Sequence, residues 1–271
     1  MLSEQQMIEF RDLAIQAARI GGQILIEKMG KITAKEKGGP GDLVTEADLA
    51  SEAAIRSLIA ARFPDHQFVG EEGTAAHEVD QQKQASDFCW IVDPLDGTTN
   101  FVHQLRSFSV SIGLAYRGEL IAGAVLDPLL DECYSAYLGG GATLNGSSIS
   151  VSQQVELRKS LFVFSFARGV HRDAPDAHRF LNMLQKVGSI RRLGSAALNL
   201  CYVACGRTDG YWASQLSQWD VAAGWLIAVE AGATLRGFDG RRPKLIRPKF
   251  CCTATPELFE QIQPLLNLEP S

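Results

Sequence analysis

A chain of 271 residues with 46% hydrophobic content can bury a sizeable core, as one large domain or two closely joined halves. Its formal charge of −5 and pI near 5.6 offer no basic footprint for nucleic acid. The opening MLSEQQMIEFRDLAIQAARIGG carries Glu4, Glu9 and Asp12 and no long apolar run, so neither a secretion signal nor a membrane span is expected there. The remaining apolar stretches are strand-sized, and a cytoplasmic protein is expected.

Ser3 to Met29 places Ile8, Leu13, Ile15, Ala18, Ile20, Ile24 and Leu25 mostly at helical spacing, a long amphipathic helix ended by Gly30. The run Lys37-Gly38-Gly39-Pro40-Gly41 predicts a loop with little side chain to anchor it. A second helix is expected from about Thr45, with Asp48 in its first turn, ending before Pro64. His66 to Val69 is a short strand followed by Gly70-Glu71-Glu72-Gly73, and Ala75 to Asp87 is polar and surface-like. Strands are expected over Ser107 to Tyr116, Glu119 to Leu126 and Glu132 to Leu138, the first two joined by an Arg117-Gly118 turn, with a loop at Gly139 to Gly141. That succession predicts a largely antiparallel sheet.

The second half alternates. Strands are expected at Leu161 to Phe166, Ile190 to Arg192, Asp209 to Trp212, Ala233 to Leu235 and Phe250 to Thr253. Helices are expected over Pro175 to Val187, from Gly194-Ser195 to Cys205, over Trp219 to Ala231 and after Pro256. The fold class is α/β, mixed α+β, with sheets and helices in alternating layers sharing one core. Residues 1–271 then form one domain: a half over 1–150 with the antiparallel sheet and a half over 151–271.

The six cysteines do not have zinc-site spacing. Cys201 and Cys205 lie four apart in an apolar helical pattern, Cys251 and Cys252 are adjacent in a strand, and Cys89 and Cys133 stand alone. Buried free thiols account for them.

The chemistry concentrates in Phe88 to Phe101, FCWIVDPLDGTTNF. Phe88 to Val92 is a continuously apolar strand, and Pro94, which lacks an N–H, is expected to end it. Asp93 and Asp96 follow the strand, Gly97 permits a tight turn, and Thr98, Thr99 and Asn100 suit a helix start. Two carboxylates beside a helix N-terminus suit a divalent metal with a phosphate next to it. Glu71 and Asp220 also follow a strand or precede a helix. Singly, each acid has a plain reading: Asp96 as a turn cap, Asp220 as a helix-start charge, Glu71 and Glu72 as a solvated loop. Asp93 resists one, because an unpaired carboxylate directly after an apolar strand is costly. Magnesium takes one or two carboxylates plus waters and substrate phosphate, and two such ions can serve both oxygens of an in-line displacement. The five histidines form no cluster, in keeping with chemistry that needs no histidine.

FVGEEG, IVDPLDGTTNF and SQWDVAAG resemble the three signatures of the inositol monophosphatase family of magnesium-dependent phosphatases, and DLVTEAD and RRLGSAALNLCYVACGRTDGYW match as well. The resemblance spans most of the chain in the family's order. It implies a layered αβαβα sandwich of the sugar-phosphatase type and a site with two or three Mg2+ ions. Glu71, Asp93 and the Leu95 carbonyl would hold the first ion, and Asp93 would bridge to a second completed by Asp96 and Asp220. Thr98, paired with Asp48, would orient the attacking water alongside Glu71, and the Gly97 and Thr98 amides would cradle the phosphate. Gly194, Ser195 and Ala196 would meet the rest of the substrate. The resemblance further implies lithium sensitivity and a homodimer.

One departure concerns specificity. In the inositol phosphatases proper an acidic residue follows the aromatic strand before the WD motif and receives substrate hydroxyls, whereas YWASQLSQWD has Ala213 and Ser214 there. Histidinol phosphate, fructose 1,6-bisphosphate, 3′-phosphoadenosine 5′-phosphate and NADP are substrates of relatives with the same machinery. LDGTT also resembles the DxDGT loop of haloacid dehalogenase-type phosphatases, but here the aspartates stand three apart with a proline between. A partner-binding role in transcription machinery, as in a bacterial member of the family, is the non-catalytic alternative. Ser165, Arg168 and His171 are read as a polar loop rather than a substrate contact.

Overall fold

The computed structural model of the chain describes residues 2–31, 35–36, 43–73, 86–166 and 169–267. The glycine-rich run at 37–41, most of the polar stretch at 75–87 and Arg168 lie outside the described residues.

The long first helix, α1 (Glu4–Lys28), starts at a reciprocal capping box between Ser3 and Gln6 and buries Phe10, Leu13, Ala14, Ala17, Ala18 and Leu25. A short pair, β1 (Lys35–Glu36) and β2 (Leu43–Val44), precedes α2 (Glu46–Arg62), which is capped by Thr45 with Asp48 reaching back. The first large sheet contains β3 (Gln67–Gly70), β4 (Phe88–Asp96), β5 (Ser109–Tyr116), β6 (Glu119–Asp127), β7 (Glu132–Tyr137), β8 (Ala142–Leu144) and β9 (Ser147–Ile149), in that spatial order. A five-residue helix, α3 (Thr98–Val102), follows β4 directly. Every neighbouring pair is antiparallel except β3 with β4. The Arg117-Gly118 turn has both residues at positive φ, 51° and 82°. Such a turn matches the twist of the strands it joins.

One expectation is corrected in this sheet. The strand β4 does not end at Pro94 but runs to Asp96. The pairing register to β5 shifts between Asp93 and Asp96, so Pro94 falls in an irregularity where no ladder N–H is required. The region after Gly141 carries the β8–β9 hairpin, turned by Asn145-Gly146 at φ 49° and 81°. An Asn-Gly turn between β-favouring residues is a hairpin signal in its own right.

The second sheet contains β10 (Leu161–Ser165), β11 (Ser189–Arg191), β12 (Gly210–Ala213), β13 (Thr234–Arg236) and β14 (Phe250–Thr253), in the order β11-β10-β12-β14-β13. The first three strands are parallel, and β14 and β13 continue antiparallel. The helices are α4 (Pro175–Leu184), α5 (Ala196–Ala204), α6 (Ala222–Glu230) and α7 (Pro256–Leu266). The helix expected from Trp219 begins only at Ala222, so Trp219 and Asp220 sit in the turn before it.

Helices α1 and α2 cover one face of the seven-stranded sheet, α5 and α6 lie between the sheets, and α4 and α7 pack together on the outer side of the second. The result is the layered αβαβα arrangement. Val125, Tyr134 and Ala136 of the first sheet share a hydrophobic cluster with α5, α6, Tyr211 and Phe250. All six cysteines are free thiols, four of them buried. No described helix is long and apolar enough to cross a membrane.

Candidate active site

Two carboxylates of β4 and a third from far along the chain meet at the C-terminal end of β4. Asp93, Asp96 and Asp220 each place an oxygen within 4.8 Å of the others. Asp93 is 1% exposed and Asp96 6%. The Asp93 side chain accepts the Leu95 N–H at 3.0 Å, within the irregularity around Pro94. Asp220 is held by the Ser217 N–H at 2.6 Å.

Burial pushes the Asp93 carboxyl well above its ordinary value, and the charges of Glu71, Asp96 and Asp220 push the same way. Burial and the charge of Asp96 raise Asp220 to about 7. Burial also raises Asp96, although hydrogen bonds from Ser195, Ala197 and Ala196 oppose it. The charges crowding Asp93 and Asp220 are thus other carboxylates, and a cation at such a buried cluster would offset their repulsion. The donor set fits a hard divalent metal, since each ligand atom is a carboxylate oxygen. Glu71 is not one of the three residues within 4.8 Å, yet its charge is the strongest acting on Asp93.

Gly97 has φ 96°, and an added Cβ would stand 3.0 Å from the Ser107 carbonyl. Only glycine turns β4 into α3 so tightly. Thr98 follows, with its hydroxyl 3.2 Å from the Leu95 carbonyl and 3.4 Å from Asp48 Oδ1. Asp48 is fully buried and accepts from both the Thr45 N–H and Oγ1. Burial raises its carboxyl to about 6, against the Thr45 hydrogen bond and with the charge of Glu72 adding to the rise. The structure therefore brings Thr98 and Asp48 together.

Asp96 ties the two sheets. Its carboxylate accepts Ser195 Oγ at 2.5 Å, the Ala196 N–H at 3.1 Å and the Ala197 N–H at 2.8 Å. Those donors are the cap and first turn of α5, where a carboxylate also meets the positive end of the helix dipole. Gly194 has φ 96°, and a Cβ there would lie 2.5 Å from Asn100 Nδ2. Asn100, which the sequence reading took only as a helix-start residue, donates to the Ser107 and Leu193 carbonyls, each at 2.7 Å.

Ala213 ends β12, fully buried, opposite Ser165. Ser214 donates to Asp176 at 2.5 Å, and Asp176 pairs with buried Arg179 at 2.8 Å. The region without the expected acid thus contains a carboxylate, already engaged. His171 is exposed beside Asp173.

A layered α/β fold with buried acids and a tight glycine turn at the end of β4 is in keeping with the class of metal-dependent phosphatases. The model of the inositol monophosphatase family matches residues 6–269, and the chain belongs to that family. It is 44% identical to inositol monophosphatase 2 of Solanum lycopersicum over 83% of this chain and 86% of that protein. It is 39% identical to Nus factor SuhB of Pseudomonas aeruginosa over 84% and 85%. The structure of inositol monophosphatase from Anabaena (Nostoc) sp. superposes with a TM-score of 0.85 at 35% identity, covering 98% of each chain.

Proposed function

We propose that the chain is a magnesium-dependent phosphomonoesterase that hydrolyses inositol monophosphate or a related small phosphorylated metabolite by direct attack of water, without a covalent intermediate. The observation that carries this reading is the convergence of buried Asp93, Asp96 and Asp220 beside the Thr98–Asp48 pair. Two or three Mg2+ ions bound there would polarise water and neutralise the phosphate oxygens.

The chain's own residues divide the remaining work. Glu71, Asp93 and the Leu95 carbonyl would hold one ion, and Asp93, Asp96 and Asp220 would hold the next. The Thr98 hydroxyl has its single proton shared between Asp48 and the Leu95 carbonyl, which leaves lone pairs to accept from a water aligned alongside Glu71. The Gly97 and Thr98 amides meet the phosphate, and Gly194, Ser195 and Ala196 face the remainder of the substrate. The protein acts in the cytoplasm as one domain, assembles as a homodimer and is inhibited by lithium.

A phosphate-release panel with magnesium tests the reading, using inositol 1-phosphate, fructose 1,6-bisphosphate, histidinol phosphate, 3′-phosphoadenosine 5′-phosphate and NADP. Magnesium-dependent release from at least one is expected, and release from none overturns it. Similarity to a protein named Nus factor SuhB favours a second reading, a partner-binding role in transcription. Under it, Asp93→Asn would abolish hydrolysis and leave the cellular phenotype intact.

A further inference from the structure

A cleft of about 580 Å3 opens beside the acidic cluster, where β10 and β12 end. Three segments line it: Val170 and Ala174–Asp176 leading into α4, Ser214–Ser217 after β12, and Arg247–Lys249 before β14, with Arg179 from α4. The topology marks this position. The crossover from β10 runs through α4 to β11 on one side, while β12 lies on the other side of β10. Ligands of parallel α/β sheets bind outside the carboxyl ends of strands at such a switch point.

The wall of the cleft is cationic. Arg179, Arg247 and Lys249 face one lining carboxylate, Asp176. Asp176 and Arg179 cancel as a buried ion pair, and Asp176 also takes the Ser214 hydroxyl. Arg247 and Lys249 remain, and among the described residues neither forms an ion pair. Lys249 lies 5.2 Å from the Phe238 ring centroid, which the Arg179 guanidinium also covers at 4.9 Å. Asp239 is the further acid that acts on Lys249, and its own carboxylate is 4.0 Å from Arg241. The cleft adjoins the acidic cluster through one residue: Ser217 lines it and donates its N–H to Asp220 at 2.6 Å. No carboxylate stands at Ala213 to repel an anion entering between the two.

We propose that this cleft is a subsite for a second anionic group on the substrate, a phosphate or carboxylate borne away from the ester being cut, recognised by Lys249 and Arg247. It rests on the phosphatase reading above and narrows the substrate class to doubly anionic phosphorylated metabolites over neutral phosphorylated polyols. A guanidinium and an ammonium at the rim of a cleft supply charge-assisted donors to such a group.

The test compares the wild type with Arg247→Met/Lys249→Met and with Lys249→Arg, on fructose 1,6-bisphosphate and inositol 1-phosphate with magnesium. The wild type favours the bisphosphate in kcat/KM, and the double variant lowers that ratio at least tenfold through KM, whereas Lys249→Arg, which keeps a cation there, retains most of it. A ratio that stays within twofold of wild type overturns the subsite. Calorimetric binding of the same two compounds to Asp93→Asn, with and without the double substitution, separates the two claims. If the wild type hydrolyses neither compound but the binding preference for the bisphosphate falls with the two cations, the phosphatase reading fails and the subsite stands. If the preference is absent or unmoved, the subsite fails.

Discussion

The Glu52 carboxylate, carried on α2 and 4% exposed, accepts the Glu72 backbone N–H at 2.8 Å. It sits directly beneath Gly70-Glu71-Glu72-Gly73: a Cβ at either Gly70 or Gly73 would come within 2.2 Å of a Glu52 oxygen. Arg56 holds the carboxylate from the next turn at 3.4 Å and covers the Phe68 ring at 4.1 Å. A buried acid thus fixes the turn that carries Glu71.

Removing that support should loosen Glu71 more than it disturbs the fold. Groups that orient a metal ligand typically change metal affinity 10- to 100-fold when lost. Glu52→Ala is expected to lower magnesium affinity about tenfold, read by calorimetry and by the rise in Tm that magnesium produces. Glu52→Gln, which keeps an acceptor for the Glu72 N–H, should lose less. Unchanged affinity in both variants would remove Glu52 from the account.

The link between the halves should be sensitive at Asn100 and Ser195. Asn100→Asp takes the donor from two carbonyls, Ser107 and Leu193, and is expected to cost about 2 kcal/mol in urea unfolding. Ser195→Ala removes both the α5 cap and a donor to Asp96, a loss of about 1 kcal/mol of stability from the cap. It should also reduce phosphate release, because Asp96 loses the hydroxyl that orients it. Ser195→Thr keeps the hydroxyl and should recover much of both.

The element types and the acidic residues could be read locally, and what escaped is non-local. Phe88 to Val92 announced a buried strand by composition alone, and Asp93 after it demanded a partner. Pro94 was expected to end that strand, because the sequence carries no sign of the shift against β5 that lets it continue to Asp96. The Asn145-Gly146 hairpin is the exception, a local turn signal that the expected elements above leave out. Nothing near Asn100 indicates that it bridges Ser107 and Leu193, since a contact across 93 positions has no local pattern. Nor does Ser214 reveal that Asp176 lies against it, because that pair depends on how α4 packs beside β12.

His66 gives the fold a pH dependence away from the acidic cluster. Its ring stacks between Phe63, 4.6 Å away, and Phe88, 4.4 Å away, and Nδ1 accepts the Trp90 indole N–H at 3.1 Å. Burial holds its pKa below the ordinary 6.5, with the charge of Asp65 opposing. The folded state therefore favours the neutral ring. Its contribution is complete above 6.5 and is lost as pH falls from 6.5 through the lower folded value, because the unfolded chain takes the proton first. Tm should fall between pH 7.5 and pH 5.5 by more in the wild type than in His66→Phe, each in the presence of magnesium. Equal falls would show that His66 contributes nothing to the slope.

The central claim is that Asp93, drawn among other carboxylates, exists to hold metal for phosphate cleavage. The most direct measurement is phosphate release by the wild type and Asp93→Asn across a magnesium titration, with Tm recorded alongside. Release that rises with magnesium, and at least a hundredfold less of it in the variant at undiminished Tm without metal, is the predicted result. Release that ignores magnesium, or survives Asp93→Asn, would contradict the account.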